Sequence, residues 1–456
     1  MRRIVVTGIG AVSPVGNSFY ESWEAAKAGL SGIRLITRFD ASMLPWKVTG
    51  ELKRFNAEAY LSQKEINRLD PFVHYAVAAA MMAVEDAGLL QVQSSKFKVQ
   101  SYKEENSELK TQNSELLSSC GVIIGSSRGG ITTIEKSIVN SYKSSVKTND
   151  QCPMTNDKSF NSSFVTRHSS LISPYLMPAT TISMASSYVA QKLGIKGYCL
   201  GISNACASGT VAIGEAYRLI KSGYSGPVLC GGTEAPVCRL CVEGYGVSGA
   251  LSKINDPTAS RPFDRTRNGF VLAEGACILV LEDYEAALKR DARIYGEIIG
   301  YGNATDAFHQ TRPDPEGEAR AIKMAMDEAG IEAQSSKLKA QGFYINAHGT
   351  STPLGDKAET EAIKLVFGKD ASNIPVSSVK SMTGHMLAAS GALEAAFTLM
   401  SMNEGIIAPT INLKEKGPEC DLDIVTGIRK SEINVAISNS FGFGGVNAVL
   451  AFGRVR

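Results

Sequence analysis

Cys199-Leu200-Gly201-Ile202-Ser203-Asn204-Ala205-Cys206-Ala207-Ser208-Gly209-Thr210, continued by Val211 to Tyr217, joins a short apolar run to a stretch of small and apolar residues. The run ending at Ile202 predicts a buried strand, and the residues after Cys206 predict a small-residue helix packed closely on its neighbours. Cys206 is therefore expected where a strand turns into a helix. At a helix N-terminus the unpaired N–H groups and the dipole favour an anion, which predicts a lowered thiol pKa and an available thiolate. The same N–H groups can hold an oxyanion. Taken alone, Cys206 reads equally well as a buried, inert thiol, one of nine cysteines in the chain.

Outward from that stretch, strand-like runs at 4–7, 122–125, 227–232 and 277–281 alternate with helical patterns at 22–28 and 71–87. Strands at 294–301, 342–347 and 433–439 and helices at 317–329, 357–366 and 388–402 repeat the theme. Such alternation predicts an α/β architecture with helix-covered sheets. Gly121 to Ser126 echoes Gly342 to Ala347, and Ala207-Ser208-Gly209 echoes Ala389-Ser390-Gly391, so a duplicated chain is expected. Residues 1–255 would form an N-terminal half and 256–456 a C-terminal half. Two polar stretches, 92–118 and 141–172, hold too little apolar surface to fold alone and read as surface insertions. The first has room for one solvated helix, and the second for a lid or docking segment.

Composition narrows the function. With 456 residues and a formal net charge of +2, the chain has a large core and no basic excess of the kind nucleic acids require. No apolar run has the length of a membrane span. Met1-Arg2-Arg3 before Ile4-Val5-Val6 lacks the long apolar region of a signal peptide, because Gly8 and Gly10 interrupt the run. Cysteines without regular spacing fit a reducing compartment, and the cytoplasm is the expected location. Cys238 and Cys241 form an isolated C-x-x-C with no second ligand pair, so no metal is expected.

Two of the five histidines lie in turns rich in Gly, Thr and Ser: His348 in Asn346-Ala347-His348-Gly349-Thr350-Ser351-Thr352, and His385 in Lys380-Ser381-Met382-Thr383-Gly384-His385. A cysteine with distant histidines is how a nucleophile and its assistants look in sequence. Phe441-Gly442-Phe443-Gly444-Gly445 is a turn whose glycines let backbone N–H groups approach a ligand. These four motifs, in this order, resemble the β-ketoacyl-[acyl-carrier-protein] synthases of the thiolase superfamily, most closely the type II, Cys-His-His condensing enzymes.

The resemblance implies a duplicated five-layer αβαβα fold, and a reaction in which an acyl group on Cys206 is condensed with a malonyl unit, releasing carbon dioxide and a β-ketoacyl thioester. His348 and His385 would donate N–H groups to the enolate oxygen, with Lys380 and Glu394 forming a buried network that orients them. The N–H groups of Cys206 and Phe443 would make the oxyanion hole. Phe441, Phe443, Thr350 and Thr352 would line the acyl and pantetheine sites. No bound cofactor or metal is implied, since the phosphopantetheine arm belongs to the acyl carrier protein. Lys64, Arg68 and Arg128 match positions that would meet that acidic carrier. The resemblance also implies a homodimer, or a heterodimer with a related subunit. A condensing enzyme of a specialised polyketide or aryl polyene pathway and a non-catalytic chain-length partner are the alternatives.

Other readings are weaker. Gly125-Ser126-Ser127-Arg128-Gly129 satisfies the G-x-S-x-G of a nucleophile elbow, but Gly130-Ile131-Thr132-Thr133 is a poor helix start and no Asp-then-His pair follows. The Gly8-Ile9-Gly10 turn lacks the third glycine of a dinucleotide site. A thiolase would place a second cysteine in the C-terminal turn, where Phe443 stands instead; Cys420 lies outside it. Departures from the family pattern at Asn268, at Ala388-Ala389-Ser390-Gly391 and over Ile182 to Ser187 put the usual acyl-chain preference in doubt.

Overall fold

The computed structural model describes residues 2–90, 114–147, 173–333 and 342–455. Most of the two polar stretches lies outside them. Where they are described, Ser114–Ser118 is a short helix with Leu117 buried, and the backbone of 141–147 completes the helix Ile131–Lys147.

Eleven strands form one continuous hydrogen-bonded run. From one edge the order is Asp423–Ile424, Pro375–Ser377, Phe343–Asn346, Val435–Gly442, Val446–Gly453 and Gly296–Thr305. It continues through Ile4–Val12, Gly275–Asp283, Val228–Glu234 and Gly121–Gly125 to Cys199–Ile202. Every strand on one side of the Ile4–Gly296 junction comes from residues before 284, and every strand on the other from residues after 295. Helix Pro71–Asp86 covers the outer face of the first set, and Pro315–Glu328 with Pro353–Phe367 covers that of the second. Helices Ser208–Lys221 and Ser390–Glu404 pack on each other between the two sets. That is the five-layer αβαβα arrangement. The central helices begin at the echoed Ala-Ser-Gly segments, whose small side chains let two helices and two sheets approach closely. From Ser390 to Met402 every residue of the second central helix is buried.

Three local expectations change. Gly8 and Gly10 are not a turn: the strand runs unbroken from Ile4 to Val12. A Cβ at Gly10 would lie 2.0 Å from the Ala79 carbonyl oxygen, so glycine there lets helix Pro71–Asp86 sit down on the strand. Ile131 does start a helix, 17 residues long. Its first turn is satisfied from elsewhere in the fold: the buried Asp70 carboxylate accepts the Thr133 N–H at 2.8 Å and the Thr133 hydroxyl at 2.7 Å. Finally, strand Cys199–Ile202 is an edge strand, exposed at Cys199 and half-buried beyond, rather than a buried one. Among the described residues no helix is long and apolar enough to cross a membrane.

Candidate active site

Cys206 lies just outside the first turn of helix Ser208–Lys221. The turn is held by Ser208, whose hydroxyl accepts the Asn204 N–H at 2.8 Å and donates to the Ala205 carbonyl at 2.6 Å. Ala205 takes φ +48°, a left-handed conformation rare for a residue with a Cβ, and this sharp bend turns Cys206 toward a cavity. The Phe443 N–H is hydrogen-bonded to the Cys206 sulfur. A Cβ at Gly442 would stand 3.3 Å from the Cys206 nitrogen, so the glycine-rich turn lies directly over the cysteine backbone.

The cavity measures about 460 Å³ and brings together Cys206, His348, His385, Phe441, Phe443, Thr350 and Thr352. The two imidazole rings meet edge to face with centroids 5.4 Å apart, and His348 packs on Phe441 at 5.9 Å. His385 Nδ1 is 3.1 Å from Ser390 Oγ, which also accepts the Met386 N–H at 2.9 Å. The turn carrying His348 is fixed by Glu359, whose carboxylate accepts the N–H groups of His348 at 2.8 Å and Gly349 at 2.7 Å and the Asn439 amide at 3.0 Å. Phe441 is buried and Phe443 is exposed at the cavity mouth. Thr352 lines the cavity and also caps helix Pro353–Phe367 through the Gly355 N–H at 3.1 Å; its hydroxyl is 3.0 Å from that of Thr350.

Lys380 and Glu394 form a buried ion pair, 1% and 2% exposed, with Glu394 Oε2 left without a partner. Burial pushes the Glu394 carboxyl up, against the pull of Lys380. Burial, then the Lys380 charge, hold both imidazoles well below their ordinary pKa, His348 being lowered further by His385. The rings are thus neutral at pH 7, each with one N–H to donate.

The thiol departs from expectation. Burial pushes Cys206 up to about 11, opposed by Lys380, by the Phe443 N–H and by Arg128. A helix end is worth at most ~2 kcal/mol, or ~1.5 pKa units, and burial, which moves a fully buried group by up to ~3–5, still outweighs it at this half-buried sulfur. The resting group is a thiol, not a thiolate, so its proton must leave during attack.

Sequence reasoning missed Glu359, Glu234, Ser390, Tyr245 and Glu318. Glu359 follows Asp356 by three residues on one face of helix Pro353–Phe367, a face buried at Ile363, and that spacing was its available signal. Glu234 removes the serine-elbow reading: Ser127 Oγ donates to its Oε2, Ser126 Oγ to Oε1 at 3.0 Å, and the Ser127 and Arg128 N–H groups at 2.9 and 3.0 Å. Glu318 lines the cavity with Oε2 unpartnered. Asn268 accepts the Ser252 hydroxyl at 2.7 Å, so the departure there keeps a local hydrogen bond.

Of the residues expected to meet a carrier, Lys64 and Arg68 are exposed on helix Gln63–Arg68, with Arg68 stacked on Tyr175 at 4.4 Å. Arg128 is also exposed, but its Nε donates to Tyr245, a wall residue of the cavity.

Residues 1–287 match the β-ketoacyl synthase N-terminal domain and residues 295–414 its C-terminal domain. The chain belongs to the β-ketoacyl synthase family. It is 42% identical over 456 residues to the 3-oxoacyl-[acyl-carrier-protein] synthase 2 of Synechocystis sp., covering 99% of this chain and 98% of that one. Among solved structures, the ishigamide ketosynthase/chain length factor superposes with a TM-score of 0.82 at 32% identity, with both chains fully covered. A type II polyketide ketosynthase, in complex with its acyl-carrier protein and bound to the hexaketide, superposes with a TM-score of 0.80 at 30% identity, again over both whole chains. The thiolase-like fold is shared by all of these ketosynthases.

Proposed function

We propose that this β-ketoacyl synthase transfers an acyl group from an acyl carrier protein to Cys206 and condenses it with malonyl-acyl carrier protein in fatty acid or related polyketide-type synthesis. The carrying observation is the convergence of Cys206, His348, His385 and the Phe443 N–H on one cavity. In the first half-reaction the Cys206 sulfur attacks the acyl thioester, its proton passes to the departing carrier thiolate, and an acyl-Cys206 thioester remains. In the second, malonyl thioester loses carbon dioxide. The enolate oxygen accepts N–H groups from His348 and His385, which stay neutral while donating. The enolate carbon attacks the acyl carbonyl, the N–H groups of Cys206 and Phe443 hold the oxyanion, and collapse expels the Cys206 thiolate, which takes a proton from solvent water. Lys380, paired with Glu394, acts on both rings through its charge rather than by a hydrogen bond to either, and Thr350 and Thr352 line the path of the phosphopantetheine arm, which the carrier supplies.

Among the described residues His385 Nδ1 is the acceptor within reach of the Ser390 hydroxyl proton, so we assign that proton to it, leaving Nε2–H for the substrate. Lys64 and Arg68 are the proposed contacts for the acidic carrier, with Arg128 set apart below. The open edge of strand Cys199–Ile202 supports a homodimer formed by pairing this strand with its own copy, since an unpaired edge invites such closure. Sheet membership supports dividing the halves after strand Gly275–Asp283 rather than at 255/256. Nine cysteines without regular spacing support the cytoplasm.

Intact-mass analysis after incubation with acyl carrier tests the scheme. Cys206→Ala should lose the acyl adduct, whereas His348→Ala and His385→Ala should keep it and lose condensation. An adduct that survives Cys206→Ala would end the proposal.

A further inference from the structure

Cys206 packs into an apolar cluster with Tyr245, Ile131, Leu387 and the buried Phe270. The ring of Tyr245 stands edge-on to Phe270 at 5.4 Å, and Phe270 edge-on to His385 at 5.2 Å. An acyl group on the Cys206 sulfur has this wall to lie against, since the carrier arm occupies the Thr350 and Thr352 side. Behind Tyr245 stands Arg128. Its Nε donates to Tyr245 Oη at 2.9 Å, and its guanidinium carbon lies 5.2 Å from the ring centroid. The loop bearing it is fixed by buried Glu234, which accepts the Arg128 N–H, and by Ser126, whose hydroxyl accepts the Gly129 N–H at 3.1 Å. Among the described residues the two terminal NH2 groups of Arg128 donate to no protein acceptor. The guanidinium is close enough for its charge to act on the Cys206 sulfur.

A saturated chain running past Tyr245 would strip water from this cation and return no hydrogen bond. A chain bearing an oxygen acceptor would meet a planar, four-donor face suited to it. We propose that Arg128, held on Tyr245, is a specificity-determining residue that makes the site favour acyl groups carrying a keto or carboxylate oxygen beyond the thioester over long saturated chains. The proposal rests on acyl transfer to Cys206.

The test measures kcat/KM for acylation of Cys206 by intact mass, with carrier-bound decanoyl, 3-oxodecanoyl and ω-carboxynonanoyl groups. The unaltered enzyme should favour one or both oxygenated groups by at least about tenfold, the discrimination that one hydrogen bond to a charged group provides. Which of the two is favoured separates a keto from a carboxylate partner. Arg128→Ile should bring the ratio to within about twofold by raising decanoyl transfer and slowing the oxygenated groups, Arg128→Lys should keep part of the preference, and Tyr245→Phe should weaken it. Should Arg128→Ile not fold, Arg128→Gln is read in its place. A ratio near unity in the unaltered enzyme, or one unmoved by loss of the guanidinium, overturns the proposal. Absence of any adduct on Cys206 with all three groups would instead refute the acyl-transfer reading beneath it.

Discussion

The Cys206 thiol is set by two opposed effects whose sizes can be compared, and alkylation kinetics reads the balance directly. A helix N-terminus acts to lower the pKa and burial acts to raise it; with burial winning, the thiol stands at about 11. At pH 8 about one molecule in a thousand then carries a thiolate, against about a quarter for a free thiol near 8.5; the greater nucleophilicity of the more basic thiolate returns about tenfold of that, so the rate with iodoacetamide should fall about twentyfold below that of a free thiol. The rate should climb tenfold per pH unit from pH 8 to 10 without levelling. Lys380 is the foremost group opposing burial, so Lys380→Met should push the inflection higher still and slow alkylation at pH 8. Pairing it with Glu394→Leu avoids a lone buried carboxyl, which by itself would cost about 3–5 kcal/mol. Measurement is by mass spectrometry of the Cys206 peptide over pH 7–10. An inflection at or below pH 8.5 in the unaltered protein, or a downward shift in the Lys380 variant, would show that the helix end outweighs burial.

Three further outcomes follow from the same cavity. Glu359→Ala strips the acceptor from the His348 and Gly349 N–H groups and should cost about 3 kcal/mol in urea unfolding; it should depress condensation more than Cys206 acylation, because the imidazole turn loses two backbone bonds whereas the strand leading to Phe443 loses one side-chain bond, that of Asn439. Burial and then Glu359 hold the Glu318 carboxyl well above its ordinary range, so the folded state takes up a proton there, and its stability is full below about pH 4.3 and declines as pH rises, by about 1.4 kcal/mol per unit until the folded pKa is passed. Glu318→Gln should therefore be the more stable protein at pH 8 and show a flatter profile, and parallel curves would refute this. His348 and His385 have the opposite sign: lowered pKa values mean their contribution is complete above about pH 6.5 and is lost on acidification by about 1.4 kcal/mol per unit per ring, a slope that His385→Gln should reduce by one ring's share.

What could be read without coordinates was what depends on neighbours in the chain. Alternating strands and helices and the repeated Ala-Ser-Gly segments gave a duplicated α/β chain, and the cysteine, histidine and glycine-rich motifs, through the family they resemble, led to the five-layer fold and to the residues that meet in the cavity. Features set by distant partners stayed hidden. Helix Ile131–Lys147 looked poorly started because its first-turn donors are satisfied by Asp70, far away in sequence. Strand Cys199–Ile202 is as apolar as a central strand, but its place at the sheet edge is not a local property. Glu234 and Glu359 look like solvent-facing acids until the backbone N–H groups they gather are seen.

The Lys380–Glu394 pair, by contrast, was expected from the resemblance, and its value in the structure is electrostatic. A buried ion pair is weak support for stability, and an apolar pair of similar volume is often as good. Here the ammonium acts on three groups at once. It lowers His348 and His385, which keeps them as neutral donors, and it lowers Cys206, which eases loss of the thiol proton. Glu394 alone would do the reverse, raising the imidazoles toward protonation and the thiol further from it, and an apolar pair would leave all three to burial. Burial by itself keeps the rings neutral but holds the thiol protonated. A cation within reach of the sulfur, neutralised on its far side by a carboxylate one helix away, is the arrangement that serves both ends without charging the cavity, and the cost to folding is the desolvation of one ammonium and one carboxylate.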